Sequence, residues 1–231
     1  MVPRFGDEAL PSWETAVLIF LGFTRSSRIL SHFRTSPLRR RLLSGVTKED
    51  LHVTSDMSCL VVTNIGARFG CGPTVAAMVE ELAELGIKQM IGIGCAGSIS
   101  PTCPRGTQFV VTRALVTDGT SLHYGYQRLS HAEPDQGLLT FVRCLAVYPH
   151  ESQDVTGAQV EAIYRETPKL ARRWRELGAE VINLEISTFY AAASFCEVPA
   201  IYFGHVSDEL LEDRWSPWTG EDRNSMVDST A

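Results

Sequence analysis

Short continuous apolar runs alternate along this chain with longer stretches whose apolar residues recur at helical spacing. The first run, Ala16–Leu21 (AVLIFL), stops at Gly22, the pattern of a buried strand meeting a turn. Ser26–Arg34 carries a weaker helical pattern. Cys59–Ile65 (CLVVTNI) predicts a second strand, followed by a loop punctuated by Gly66, Gly70 and Gly72. Pro73–Leu85 then sets Val75, Met78, Val79 and Leu82 on one helical face, with Pro73 suited to the first turn and Gly86 to the stop. A third strand, Met90–Ile93, is expected to end in a turn over Gly94–Ser98 (GCAGS), and a fourth covers Gln108–Val116. Gln136–Val147 mixes a helix with another strand. Pro168–Leu177 predicts a helix capped by Thr167 and stopped by Gly178. The chain then closes on GAEVINLEISTFYAAASFCEVPAIYFGHVSDEL, a strand, a helix and a strand. Beyond Leu211 it turns polar and proline-interrupted, and residues 215–231 are expected to form a frayed tail.

Strands alternating with helices predict a three-layer αβα fold. No internal repeat or linker divides it, so residues 1–231 are expected to form a single domain. A hydrophobic content of 44% with 21% charged residues suits an ordinary globular core. The net charge of −6 argues against a nucleic-acid partner, which would need a basic face. The short basic cluster Arg39–Arg41 has the composition of a solvated helix end. None of the 6 cysteines falls in a C-x-x-C pair or a zinc spacing, so no metal site is expected. Met1–Pro11 is polar and mixed in charge, and no apolar run is long enough for a bilayer. A cytoplasmic protein without membrane partners is the resulting expectation.

Four groups of residues suggest chemistry. Glu185 interrupts the nearly continuous apolar segment Val181–Ala193, where a carboxylate costs several kcal/mol unless it is paired or hydrogen-bonded. Two vicinal sugar hydroxyls would satisfy it; so would a half-exposed place at a helix N-terminus, favoured by the macrodipole. Asp208 is expected just past the last strand, either facing the same cleft or capping a helix from Glu209. The Gly94–Ser98 glycines would let backbone N–H groups approach an anion, or would simply permit a tight turn. Thr117–Tyr124 (TDGTSLHY) holds more hydroxyls than an Asp-Gly turn requires, although such residues also cap and turn the backbone.

Order and spacing of these pieces resemble the superfamily of purine nucleoside phosphorylases, uridine phosphorylases and nucleosidases, from about Ala16 to Trp215. The Pro73–Ser98 segment is similar to the family's glycine-rich phosphate and ribose loop. TDGTSLHY is similar to the D-G-x-S-x-H segment of uridine phosphorylases, and INLE…SD to the E-M-E and catalytic-Asp signature. The resemblance implies an α/β fold with a central mixed β-sheet and cleavage of a ribonucleoside with inorganic phosphate as co-substrate and no other cofactor. It also implies a homo-oligomer, from dimer to hexamer. Residue by residue, Glu185 matches the ribose-binding glutamate and Leu184 the methionine under the sugar. Asp208 matches the acid that serves the departing base. Gly22, Arg25 and Arg28 match the N-terminal phosphate loop, and Cys95 and Gly97 the phosphate or ribose contacts. Ser121, His123 and Tyr164 fall near the base.

The chain also departs from the family pattern. An arginine that grips phosphate in many phosphorylases is here Gly92, with Arg25, Arg28, Arg68 or Arg39–Arg41 of a neighbouring subunit as replacements. The first acid of E-M-E is Asn183. Three rivals to phosphorolysis follow: hydrolysis by water, nucleoside binding without catalysis, and a cysteine-dependent reaction using Cys95 with His123 or His205.

Overall fold

A computed structural model describes residues 13–31, 33–38, 43, 46–68, 70–144, 152–211 and 214–217, save the side chains of 23–25 and 68. Its strands are β1 (Thr15–Ile19), β2 (Thr35–Pro37), β3 (Leu51–Thr54), β4 (Cys59–Val62), β5 (Gln89–Ser98) and β6 (Gln108–Leu115). They continue with β7 (His131–Ala132), β8 (Gln153–Gln159), β9 (Val181–Asn183), β10 (Ala200–Leu211) and β11 (Arg214–Ser216). The helices are α1 (Phe23–Leu30), α2 (Gly72–Glu84), α3 (Gln136–Cys144), α4 (Pro168–Glu176) and α5 (Ile186–Phe195).

β1 lies parallel between β4 and β5, and β3 and β2 extend that edge antiparallel. β5 also pairs in parallel with β10 from Met90 to Ser98. β10 runs antiparallel to β6, β6 parallel to β8, β8 parallel to β9, and β9 antiparallel to the last two residues of β5. These pairings return to their starting strand. The mixed central sheet therefore curls at one end into a closed five-stranded ring, which removes the edges that an open sheet leaves exposed.

Strand alternation supplies both faces of the sheet. Ala16, Leu18 and Phe20 pack with Val75 and Leu82 of α2 and Phe189 of α5. Val17, Ile19 and Leu21 pack with Ile29 of α1. Leu139 of α3 meets Val110 and Ile201, and Ala171 and Trp174 of α4 meet Leu115, Ala158 and Ile182. Ile186–Ala193 of α5 is buried on every side, which explains its apolar sequence all round. Thr167 caps α4 as expected, its hydroxyl accepting from Leu170 N.

The structure changes several sequence expectations. Gly94–Ser98 is not a turn but the second half of β5. Its glycines answer to a neighbour: a Cβ on Gly94 would stand 1.9 Å from Tyr202 Oη, and one on Gly92 2.6 Å from Tyr202 Cδ2. Asp208 lies inside β10, not beyond it. β2, β3, β7 and β11 are short additions that apolar runs did not reveal, and β8 is broken by Gly157 and polar residues. Of Gln136–Val147 the helix is confirmed to Cys144; residues 145–147, like Arg39–Arg41 and most of 215–231, lie outside the described residues.

The acidic turn of TDGTSLHY is a joint of the fold. Asp118 is 3% exposed and accepts from Ser121 N (2.7 Å), Ser121 Oγ (2.8 Å), Ser187 Oγ (2.6 Å) and Thr188 Oγ1 (3.2 Å). Gln159, fully buried, accepts from Ser187 Oγ and Thr188 N, each at 2.9 Å, and donates to Thr188 Oγ1. Two segments remote in sequence are thereby fastened to the start of α5. Asp118→Ala would strand these donors and should lower unfolding free energy by about 3 kcal/mol in urea titration. Thr167→Ala, which removes one half-buried helix cap, should cost only about 1 kcal/mol. Equal losses would count against a load shared through Asp118.

Candidate active site

The start of α5, the C-terminal halves of β5 and β10, and the loop after β8 bring the candidate residues together. Glu185 stands where β9 gives way to α5 and is 5% exposed, so it is not the half-exposed helix-end residue that the sequence allowed. The helix is capped by its neighbour instead. Asn183 Oδ1 accepts from Glu185 N (3.2 Å) and Ile186 N (3.0 Å). The Glu185 carboxylate has two neutral partners: Tyr202 Oη donates to Oε1 at 2.6 Å, and Leu184 N–H donates to Oε2 at 2.9 Å. Burial pushes its pKa up to about 8, against the pull of both hydrogen bonds. Leu184 is half-buried against the α4 side of the core.

Asp208 faces β5 at Gly97, immediately after a shift of register between Val206 and Asp208. Such a bulge re-aims the side chain that follows it. Ser207 Oγ donates to Asp208 Oδ1, and Trp215 Nε1 donates to Oδ2 at 2.9 Å. Glu166, in the loop after β8, lies close enough to feel this charge. Burial first, and Asp208 second, raise its pKa to about 7. Glu185 and Asp208 share no hydrogen bond. Through Tyr202, Glu185 reaches Gly94, whereas Asp208 reaches Gly97, three residues and about 10 Å further along β5.

The remaining candidates are spread unevenly. Gly22 precedes α1 at the end of β1, and Phe20 N donates to Ile93 O, which keeps that helix start beside the glycine-rich half of β5. Arg28 is half-buried on α1. The side chains of Arg25 and Arg68 lie outside the described residues. Cys95 is half-buried and pairs in register with the buried His205. His123 is exposed on a 3-10 turn, so of the two histidines only His205 is Cys95's strand partner. Ser121 is fully buried with its hydroxyl given to Asp118, which places it inside the fold rather than on a cleft. Tyr164 is 95% exposed. A solvent-open cleft of about 300 Å³ lies at the other end of β10, lined by Glu133, Asp135, Tyr190 and Glu197, and neither Glu185 nor Asp208 borders it.

Sequence reasoning missed Tyr202, Glu166, Trp215 and Gln159. Tyr202 had one signal, a hydroxyl in an apolar strand, but its partners Gly92, Gly94 and Glu185 are set by tertiary contact. Trp215 sits in a segment that composition assigned to a tail.

Glu185 gives a pH dependence whose sign is fixed. Its ordinary value lies near 4.5 and its folded value near 8, so between these limits the native state holds a proton that the unfolded chain has released. The contribution is complete below about 4.5 and is lost as pH rises toward 8, with a loss of up to a few kcal/mol. Thermal melts should therefore show wild-type stability falling over this window. Glu185→Gln should flatten the slope, and an unchanged slope would show that this carboxyl is not held protonated.

A family-wide profile described as the Phosphorylase superfamily matches residues 56–230. Among curated proteins, uncharacterized protein R802 of Acanthamoeba polyphaga mimivirus is 29% identical over 65% of this chain and 58% of its own length. Uridine phosphorylase of Haemophilus influenzae is 26% identical over 53% of this chain and 54% of its own. Guanosine phosphorylase of Halorubrum lacusprofundi is 27% identical over 62% and 58%. The chain thus spans less than two thirds of the length of the curated relatives it matches. In fold it is similar to purine nucleoside phosphorylase from Toxoplasma gondii in complex with immucillin-H, with a TM-score of 0.75 at 16% identity over 95% of this chain and 88% of that one. It is also similar to uridine phosphorylase from Vibrio fischeri, with a TM-score of 0.69 at 17% identity over 94% and 86%. With its profile match covering more than half its length, the chain belongs to the phosphorylase superfamily.

Proposed function

We propose that this protein cleaves the N-glycosidic bond of a ribonucleoside, transferring the ribosyl group to inorganic phosphate and releasing the free base and ribose 1-phosphate. The observation that carries this reading is Glu185. It is a buried carboxylate whose partners are neutral, and each of its oxygens accepts one hydrogen bond and carries a second lone pair. The vicinal hydroxyls of a sugar would supply the two further donors. The uridine and guanosine phosphorylases to which the chain is similar support the same chemistry.

In this scheme Glu185 orients the ribose with Leu184 beneath it, which lowers the entropic part of the barrier. Breaking the bond builds positive charge on the sugar and negative charge on the base. Phosphate, held at Gly22 and the start of α1 with Arg25, Arg28, Arg68, Cys95 and Gly97, attacks the anomeric carbon while its charge offsets that of the sugar. Asp208 serves the leaving base as acid or hydrogen-bond partner, with Glu166 beside it as a second acid of raised pKa. His123 and Tyr164, both exposed, would be free to contact an entering base. A homo-oligomer of two to six copies would let a neighbour complete the phosphate site.

Hydrolysis is the second reading, and one observation favours it. The ground over Gly92, where phosphorylases carry an arginine, is covered by the uncharged ring of Tyr202. Chromatography of base release with and without phosphate separates the two. Phosphorolysis predicts turnover that depends on phosphate and yields ribose 1-phosphate, whereas equal rates in phosphate-free buffer would establish the hydrolase. Asp208→Asn should lower kcat more for purine than for pyrimidine nucleosides, because only a purine offers N7 to an acid there. Equal losses on both classes would remove Asp208 from that role.

A further inference from the structure

The sugar-facing carboxylate is held by a chain of hydrogen bonds whose polarity can be worked out from end to end. Asn183 Oδ1 accepts from Glu185 N and Ile186 N, so its amide nitrogen is the end that faces Tyr202, at 3.3 Å from Oη. Tyr202 Oη is then an acceptor toward Asn183, and its one proton is directed at Glu185 Oε1, 2.6 Å away. The phenol has little freedom to do otherwise. Its ring lies across Gly92 and Gly94, where any side chain would collide with it. Phe20 and Phe189 flank it with ring centroids at 5.6 and 6.2 Å. Its backbone N–H donates to Tyr190 Oη at 2.9 Å, and Tyr190 Oη in turn donates to Val111 O at 2.7 Å. The glycines of β5 therefore serve this phenol, which reaches Glu185 only because they have no side chains.

We propose that Tyr202 is the positioning residue of the sugar site: its phenol fixes the Glu185 carboxylate with one free acceptor position on each oxygen, side by side, so that the site selects ribonucleosides over 2′-deoxyribonucleosides. The proposal rests on the reading of Glu185 as the sugar-binding residue. With Oε1 tied to Tyr202 and Oε2 to Leu184 N–H, the carboxylate cannot turn to favour one hydroxyl, and a substrate lacking the 2′-hydroxyl leaves a buried acceptor unpaired. The titratable groups facing this carboxylate among the described residues are Tyr202 from β10 and, through the phenol, Cys95 from β5. The diol binds the ionised form. Because the Tyr202 hydrogen bond favours that form, it lowers the pH at which the site becomes competent.

The experiment compares kcat and KM for matched ribo- and 2′-deoxyribonucleosides across pH 6–9 in wild type, Tyr202→Phe, Tyr124→Phe and Glu185→Gln. Wild type should prefer the ribonucleoside by about tenfold to a hundredfold in kcat/KM, as expected for one hydrogen bond to a charged group. Tyr202→Phe should raise the ribonucleoside KM about tenfold with kcat less affected, narrow the ribo/deoxy ratio, and move the pH at which KM improves upward. Tyr124→Phe removes a phenol that donates to Glu80 and packs on Phe195, at the other end of α5 from Glu185. It should lower the melting temperature but leave the ratio and the pH profile in place. If Glu185→Gln abolishes the ribo preference while Tyr202→Phe keeps the wild-type ratio and profile, Tyr202 has no positioning role and the sugar-site reading stands. If Glu185→Gln itself keeps wild-type KM and ratio, both ideas fall. Should Tyr202→Phe not fold, tyrosine can be replaced throughout by 3-fluorotyrosine, whose more acidic phenol donates more strongly. The KM transition should then move to lower pH, and a transition that stays in place overturns the proposal.

Discussion

A carboxylate taken out of water must be satisfied by what surrounds it, and the hydrogen bond from Tyr202 to Glu185 is where this protein meets that demand. Much of the architecture around the site follows from it. The phenol needs a lane across β5, so Gly92 and Gly94 carry no side chains. It needs β5 and β10 in register over most of their length, and that pairing closes the ring through β6, β8 and β9. It needs a donor behind it, and the last residue of β9 supplies one: Asn183 accepts from Glu185 N and Ile186 N with one end of its amide and meets Tyr202 with the other.

A second buried acid holds the other side of the same helix. Asp118 and Gln159 bind Ser187 and Thr188 through neutral hydroxyls, with no positive charge in the cluster. α5 is thus fastened by polar groups at its start and sealed by apolar packing as far as Ala193. A helix fastened this way keeps Glu185 in one place. Asp208 is arranged differently. It follows a bulge, takes Trp215 from the last hairpin as its donor, and shares its surroundings with Glu166, so the two ends of the site differ in both exposure and charge.

Much of the fold was legible along the chain. The apolar runs at Ala16–Leu21 and Cys59–Ile65 became β1 and β4, and the helical spacing at Pro73–Leu85 became α2. Strand–helix–strand order at Val181–Leu211 held, because a buried helix between buried strands leaves a long apolar signature. Short strands such as β2 and β7 left none, since two or three residues cannot show a period. Gly94–Ser98 misled for a stated reason: glycine marks a turn when the backbone must bend, but it also marks a strand that another side chain must cross.

The sequence by itself determined that Glu185 and Asp208 were out of place in their surroundings, because the cost of burying a carboxylate depends only on its own chemistry and the apolar residues flanking it. It also carried, in the order of its motifs, membership of the phosphorylase superfamily. Only the tertiary structure decided which partners meet those costs. Tyr202 reaches Glu185 across 17 positions, and Asp118 reaches Ser187 across 69, contacts set by strand register and ring closure rather than by local pattern. The same register turned two departures from the family pattern (Gly92 and Asn183) into parts of one arrangement around a single phenol.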